Sequence, residues 1–197
     1  MKRLVIALGI AIVVTACQAP LRIMNTANAA SITTKMLSAT EHLPSVPAIY
    51  IVGVIDVGDG KKFAEAISRF NGRAIVYLYS PGGDAAAGLE IGYAIRAKQK
   101  YETVAPPKEN CASMCALIWL AGNTRWIYST SHVGFHAMAW EKGGVSSSWN
   151  ALVGAYLVRI GLSDDAIYYL TKASPESMEW LTEDKANQLG IVAKTLD

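Results

Sequence analysis

Three groups of residues in this chain have the types that acyl transfer needs. Ser113 stands where the polar loop Asn110-Cys111-Ala112 gives way to the apolar run Ala116-Leu117-Ile118-Trp119-Leu120-Ala121. A serine at such a junction has its hydroxyl clear of the core and helix amides pointing toward it, where an attacked carbonyl becomes an oxyanion. Pro81-Gly82-Gly83 offers backbone donors, because glycine lets the main chain approach a substrate closely. His136 follows Ser113 by 23 residues and ends a short apolar run, a position suited to accepting the serine proton. Each group also has a plain structural role. Ser113 serves equally as a helix N-cap, Pro81-Gly82-Gly83 as a tight turn, and His136 as a hydrogen-bonded structural histidine, with His132 competing for any role. Residue types alone leave a serine hydrolase as one reading among several.

The elements that would position these residues follow from hydrophobic patterning. Residues 49–55 form a β-branched apolar run fit for a buried strand, broken by Gly58-Asp59-Gly60. Phe63, Ala66, Ile67 and Phe70 recur at helical spacing, and Asn71-Gly72 ends that helix. A second buried strand over 74–79 stops at Ser80-Pro81-Gly82-Gly83-Asp84. A helix over 86–98 and a strand over 101–105 follow, before Pro106-Pro107 forces a loop. Beyond Ser113 the run 116–121 is apolar on all sides and reads as a deeply buried helix. Short strands over 126–128 and 133–136 precede a flexible loop at 143–148. Helices then follow over 149–160, 163–172 (capped by Ser163) and 182–189 (capped by Thr182). Alternating strands and helices predict an α/β fold with mostly parallel, buried strands covered on both faces.

Taken in order, the strand, Ser80-Pro81-Gly82-Gly83-Asp84, the helix, Cys111-Ala112-Ser113-Met114, the apolar helix ending Ala121-Gly122, and Gly134-Phe135-His136 resemble the Clp protease proteolytic-subunit superfamily. The cysteines flanking the serine look like an exported branch of it. The resemblance spans roughly residues 50–192 and implies a ClpP/crotonase-like fold of repeated βαβ units. It implies Ser113 as nucleophile, His136 as general base, and the backbone N–H groups of Gly83 and Met114 as the oxyanion hole. Gly82 and Asp84 would line the groove where an extended peptide pairs with a sheet edge. One departure stands out. The aspartate that orients the histidine in the family falls at Met178, or at Ser174 on a different anchor, with Glu176 and Glu179 near but off register. The third member is missing, replaced by Glu176 or a backbone carbonyl, or unnecessary.

Charge and cysteine placement name a compartment. Lys2 and Arg3 precede an uncharged run over 4–14 that ends in Val14-Thr15-Ala16-Cys17, the pattern of an export signal with a lipobox. Removing residues 1–16 leaves 16 basic against 16 acidic side chains, so a basic nucleic-acid-binding surface has no compositional support. The rival cleavage site, Ala27-Asn28-Ala29, lies far beyond the apolar run. A diacylglyceryl anchor on Cys17 implies the periplasmic side of the bacterial envelope, and Gln18 points to the outer membrane. Residues 17–46 read as a tether with one weak helical turn near 34–40, and the hydrolase domain as 47–197.

With Cys17 lipidated, Cys111 and Cys115 remain as a pair, either a disulfide around Ser113 or two small buried hydrophobes. No metal-ligand spacing and no cofactor motif is evident. The expected function is a serine peptidase acting on peptides or unfolded segments without an ATPase partner. The apolar face over 152–160 offers a contact for a homo-oligomer. The alternative is a degenerate, peptide-binding envelope module. An acyl-CoA enzyme shares the fold, but export separates it from its substrate. A serine–lysine pair with Lys108 is disfavoured by His136.

Overall fold

A computed structural model describes residues 29–39, 44–140 and 143–196; the signal, Cys17 and the first part of the tether lie outside them. In chain order the elements are β1 (Ser31–Leu37), β2 (Val46–Val52), α1 (Asp59–Ile67), β3 (Ala74–Tyr79), α2 (Ala85–Lys98), β4 (Tyr101–Ala105), β5 (Asn110–Ala112) and α3 (Met114–Leu120). They continue with β6 (Thr124–Tyr128), β7 (His132–Phe135), α4 (Ser147–Arg159), α5 (Asp164–Thr171), β8 (Glu179–Trp180), α6 (Glu183–Gln188) and β9 (Lys194–Leu196). The architecture is mixed α/β. Strands β2, β3, β4, β6 and β9 run parallel in one sheet of order β1-β2-β3-β4-β6-β9, with helices packed against it. A smaller sheet, β5-β7-β8, joins it where Ser80, just past β3, bridges Cys111.

Two sequence expectations need correction. The stretch read as tether contains β1, which lies antiparallel along β2 from Ser31 opposite Val52 to Leu37 opposite Val46. Ile32, Thr33 and Thr34 favour extended backbone, and the open edge of β2 supplies their hydrogen bonds, so a helical turn does not form there. The ordered domain thus begins before residue 47. The sheet is also not sealed on both faces. Ala74, Val76 and Leu78 of β3 are buried, while Ile75, Tyr77 and Tyr79 between them stay half-exposed. Tyr50 stacks on Tyr77 on that second face, ring centroids 5.0 Å apart. An apolar run does not distinguish two buried faces from one buried and one aromatic face, because tyrosine tolerates both settings.

The core gathers behind the serine. Every residue of α3 is buried, and Trp119 anchors it by donating its indole N–H to the Trp126 carbonyl at 3.1 Å. Tyr156 of α4, also buried, donates to the Leu117 carbonyl at 2.8 Å, and burial pushes its hydroxyl well above the ordinary tyrosine range. Helix α2 starts on Asp84, whose carboxylate accepts the Ala87 amide at 2.8 Å.

Candidate active site

Ser113 occupies the single-residue joint between β5 and α3, with φ 56° and ψ −125°. A non-glycine residue at positive φ costs roughly 1–3 kcal/mol and needs surroundings that enforce it. Those surroundings are visible. The Ser113 amide donates to the Gly134 carbonyl at 2.9 Å, tying the joint to β7, and the Ala112 amide donates to the Ser80 carbonyl at 3.2 Å. Cys111 and Cys115 are joined as a disulfide across the joint, with Cα atoms 5.1 Å apart. Of the two readings open in the sequence, the bridge is the one realised. The plain capping role of Ser113 is not: its hydroxyl makes no capping hydrogen bond and faces a cleft.

That cleft has a volume of about 920 Å3 and is lined by Gly83, Asp84, Ser113 and His136, together with an apolar wall of Met138, Trp140 and Trp149. The fold therefore brings together residues from the β3–α2 turn, the β5–α3 joint and the end of β7. Gly82, expected to line the groove, instead lies buried beneath it. A Cβ there would sit 2.7 Å from the Ser113 Cβ and 2.8 Å from the Ala112 carbonyl oxygen, so the position backs the serine and does not meet a ligand. Asp84 reaches the cleft, but its carboxylate is engaged as the α2 cap.

Gly83 has φ 142°, and a side chain there would collide with the Ile55 carbonyl. The bridge from Ile55 uses the Gly82 carbonyl and the Asp84 amide at 2.8 Å each, so the Gly83 N–H is directed away from that ladder. The Met114 amide belongs to the first turn of α3, where helix geometry leaves N–H groups without intrahelical acceptors. Both expected donors thus belong to backbone that leaves them available.

His136 follows β7 and has one internal partner: its Nδ1 lies 2.7 Å from the Ala137 carbonyl oxygen. A carbonyl only accepts, so Nδ1 carries the proton in neutral His136 and Nε2 holds the lone pair, the tautomer a general base needs. The peptide carrying that carbonyl is held by its own N–H, the Met138 amide donating to Asn150 Oδ1 at 2.9 Å, and the preceding peptide by the Ala137 amide donating to the Ala173 carbonyl at 2.8 Å. No hydrogen bond joins Ser113 Oγ to His136 among the described residues. Nor does any carboxylate pair with the histidine among the described residues. Met178 packs against Gly134, Glu179 pairs with Lys172 at 3.2 Å, Glu176 is exposed, and Ser174 bonds toward Ser177. His132 is exposed and sits edge-on to Trp180, away from the cleft lining.

The residues that patterning missed form the lip of the cleft. Trp140 and Gly144 exchange a main-chain hydrogen bond of 3.0 Å, and Ala139 bridges Val145, making a small hairpin where a flexible loop was expected. Asn150 of α4 holds its base: it accepts the Met138 amide at 2.9 Å and donates to the Met138 and Ser146 carbonyls. Two tryptophans flanking a glycine-rich stretch just after His136 were the available signal.

Residues 1–18 match a prokaryotic membrane lipoprotein lipid attachment site. The chain is therefore an exported protein of the bacterial envelope that associates with the membrane through a lipid, in line with the lipobox and not with the later cleavage site. Comparison with curated proteins found no match. Among the described residues no helix is long and apolar enough to cross a membrane, and no group of side chains is arranged to hold a metal ion.

Proposed function

We propose that this envelope lipoprotein is a serine hydrolase of the Clp-like fold that cleaves peptides or unfolded segments on the periplasmic side of the outer membrane, anchored through Cys17. The observation that carries the reading is the shared cleft. An uncapped serine held at φ 56° faces it together with a histidine whose proton is parked on Nδ1. In this scheme substrate binding brings the Ser113 hydroxyl to His136 Nε2. Oγ attacks the scissile carbonyl as its proton moves to the ring, and the Gly83 and Met114 amides stabilise the oxyanion. The ring then protonates the leaving amine, and water repeats the sequence on the acyl-enzyme. The Ala137 carbonyl takes the place of the family's aspartate in holding the tautomer, without its negative charge. A neutral partner stabilises the imidazolium less, so the reading implies slow turnover. No ATPase partner is involved, and the exposed Leu152 and Val158 of α4 supply a contact for self-association.

The test is covalent labelling by a fluorophosphonate, comparing wild type with Ser113→Ala across pH. Labelling that depends on Ser113 is expected; labelling that is absent, or unchanged in the variant, rejects the hydrolase. A second reading, a peptide-binding module without catalysis, is favoured by the missing carboxylate behind His136. It predicts that His136→Ala keeps the cellular phenotype while substitutions beside Asp84 in the cleft abolish it.

A further inference from the structure

We infer that the Cys111–Cys115 bond arms the site, so that Ser113 reaches its working position only after the exported chain has been oxidised. This rests on the hydrolase reading and extends it to the condition under which the nucleophile is placed. Cys111 belongs to β5 and Cys115 to the first turn of α3, so the bond closes a ring around Ser113. Ser113 is one of three non-glycine residues with positive φ among those described, and the only one of them lining the cleft. Relaxing it toward ordinary backbone would swing the α3 start against β5 and carry both the hydroxyl and the Met114 amide out of register. Of the hydrogen-bonded ties, Ser113 to Gly134 and Ala112 to Ser80 hold the strand side of the joint, and the Leu117 amide, donating to the Ser113 carbonyl at 3.2 Å, holds the helix side. Gly82 leaves room for the strained turn but does not pull it into place. The disulfide is the covalent tie that fastens the helix side directly to the strand side, across the strained residue.

Burial decides what kind of device this is. Both cysteines are 0% exposed in the folded chain. Thiol–disulfide exchange needs a thiolate to reach a sulfur, so the bond forms during folding and is then out of reach. It acts as a one-way step and not as a reversible sensor. The lipid attachment match places this step across a membrane: the chain is made where thiols are kept reduced and works where disulfides persist. A reduced chain in the cytoplasm would thus carry a serine and a histidine without an assembled site. In the oxidation, two S–H bonds break and one S–S bond forms. Two electrons and two protons pass to an external protein or small-molecule disulfide, which leaves as two thiols.

The experiment uses the full lipidated chain purified in detergent, unfolded with denaturant and dithiothreitol, then refolded either in dithiothreitol or with oxidised glutathione. The oxidised sample is expected to label with a fluorophosphonate at the native rate. The reduced sample, folded by circular dichroism, is expected to label roughly tenfold or more slowly with an unchanged pH midpoint, because the base is intact and only the nucleophile is misplaced. Reoxidation through a second round of unfolding restores the rate. The Cys111→Ala/Cys115→Ala double variant shows the slow rate in both conditions, and hydrogen exchange at the Ser113 amide is faster in it. Native-rate labelling by the reduced chain or the double variant overturns the inference. So does loss of the whole fold on reduction, since the bond would then serve the domain and not the turn. An oxidised chain that never labels, yet whose Ser113 amide is protected only when the bond is present, rejects the hydrolase reading while retaining the clamp.

Discussion

The two walls of the cleft are built on opposite plans. The serine wall is built of fixed parts: a buried helix, a disulfide, two strand hydrogen bonds and a glycine that fits directly beneath the serine Cβ all converge on one residue. The lip opposite is a short hairpin with Trp140 51% exposed, tipped by Gly143 and Gly144 at positive φ and held at its base through the side chain of Asn150. His136 sits between them, its ring set by a neighbouring carbonyl. On the proposed hydrolase reading, a reacting serine needs the close placement that packed and covalently linked elements supply, whereas a lip admitting varied chains gains from being adjustable.

The largest effects are expected at the reacting groups. Ser113→Ala should remove fluorophosphonate labelling entirely, and His136→Ala should slow it by roughly 10²–10⁴, the usual contribution of a positioned base. Equal labelling in wild type and His136→Ala would leave the middle of the cleft without a catalytic role. Next in size is the support beneath the serine. Gly82→Ala introduces a Cβ 2.7 Å from that of Ser113 at a backbone φ of 104°. It should cost about 2–4 kcal/mol of stability by overpacking and strain, read from denaturant melts.

The lip should respond differently. Asn150→Ala removes three hydrogen bonds to the hairpin base, one of them on the peptide whose carbonyl orients His136, and should cost about 1–2 kcal/mol while slowing a small fluorophosphonate far less than His136→Ala does. For a peptide substrate, KM should rise more than kcat falls. If kcat alone collapses, the lip is part of the rigid wall and the contrast fails.

The smallest effect lies away from the cleft and serves as a control. Burial would raise the Glu102 carboxyl, but hydrogen bonds from Arg73 and Trp126 outweigh it and hold the group below its ordinary 4.5. A carboxyl lowered by folding supports the fold above its unfolded value and loses that support as acid protonates it. Wild-type stability should therefore decline below about pH 4.5, with Glu102→Gln lacking part of that decline. The partly exposed pair is worth on the order of 1 kcal/mol or less, and the cleft's labelling profile should not follow it. At the alkaline end, burial pushes the Tyr101 hydroxyl up to about 12, so the folded chain keeps a proton that the unfolded chain sheds, and stability should fall as pH rises above 10.

Much of the molecule is legible in the linear chain because local chemistry decides it. The apolar runs of β3 and α3 occur where patterning puts them, β2 lies three residues earlier than the expected 49–55, Ser163 and Thr182 cap α5 and α6 through their side chains, and Gly122 follows the buried helix. The serine, the histidine and the glycine pair line up as motifs because each marks a sharp change of backbone direction. Other features depend on partners distant in sequence. Strand β1 exists because β2 leaves an edge open, and the small sheet needs β8, two residues that take extended form only beside β7. Gly82 and Gly83 look alike as letters, yet one backs the serine and the other faces the cleft, a difference set by how the β3–α2 turn crosses Ile55 and Ala112.

Residue type and short-range periodicity are enough to read the lipid-anchored envelope location, the α/β alternation and the residues able to carry a proton and a nucleophile. Tertiary structure alone decided that Cys111 and Cys115 join across Ser113, that a carbonyl and not a carboxylate orients His136, and that two tryptophans wall the cleft. The physical reason is that hydrogen-bond partners and steric walls are chosen by distance in space, and that distance is set only once the strands have paired and the helix behind the serine is buried.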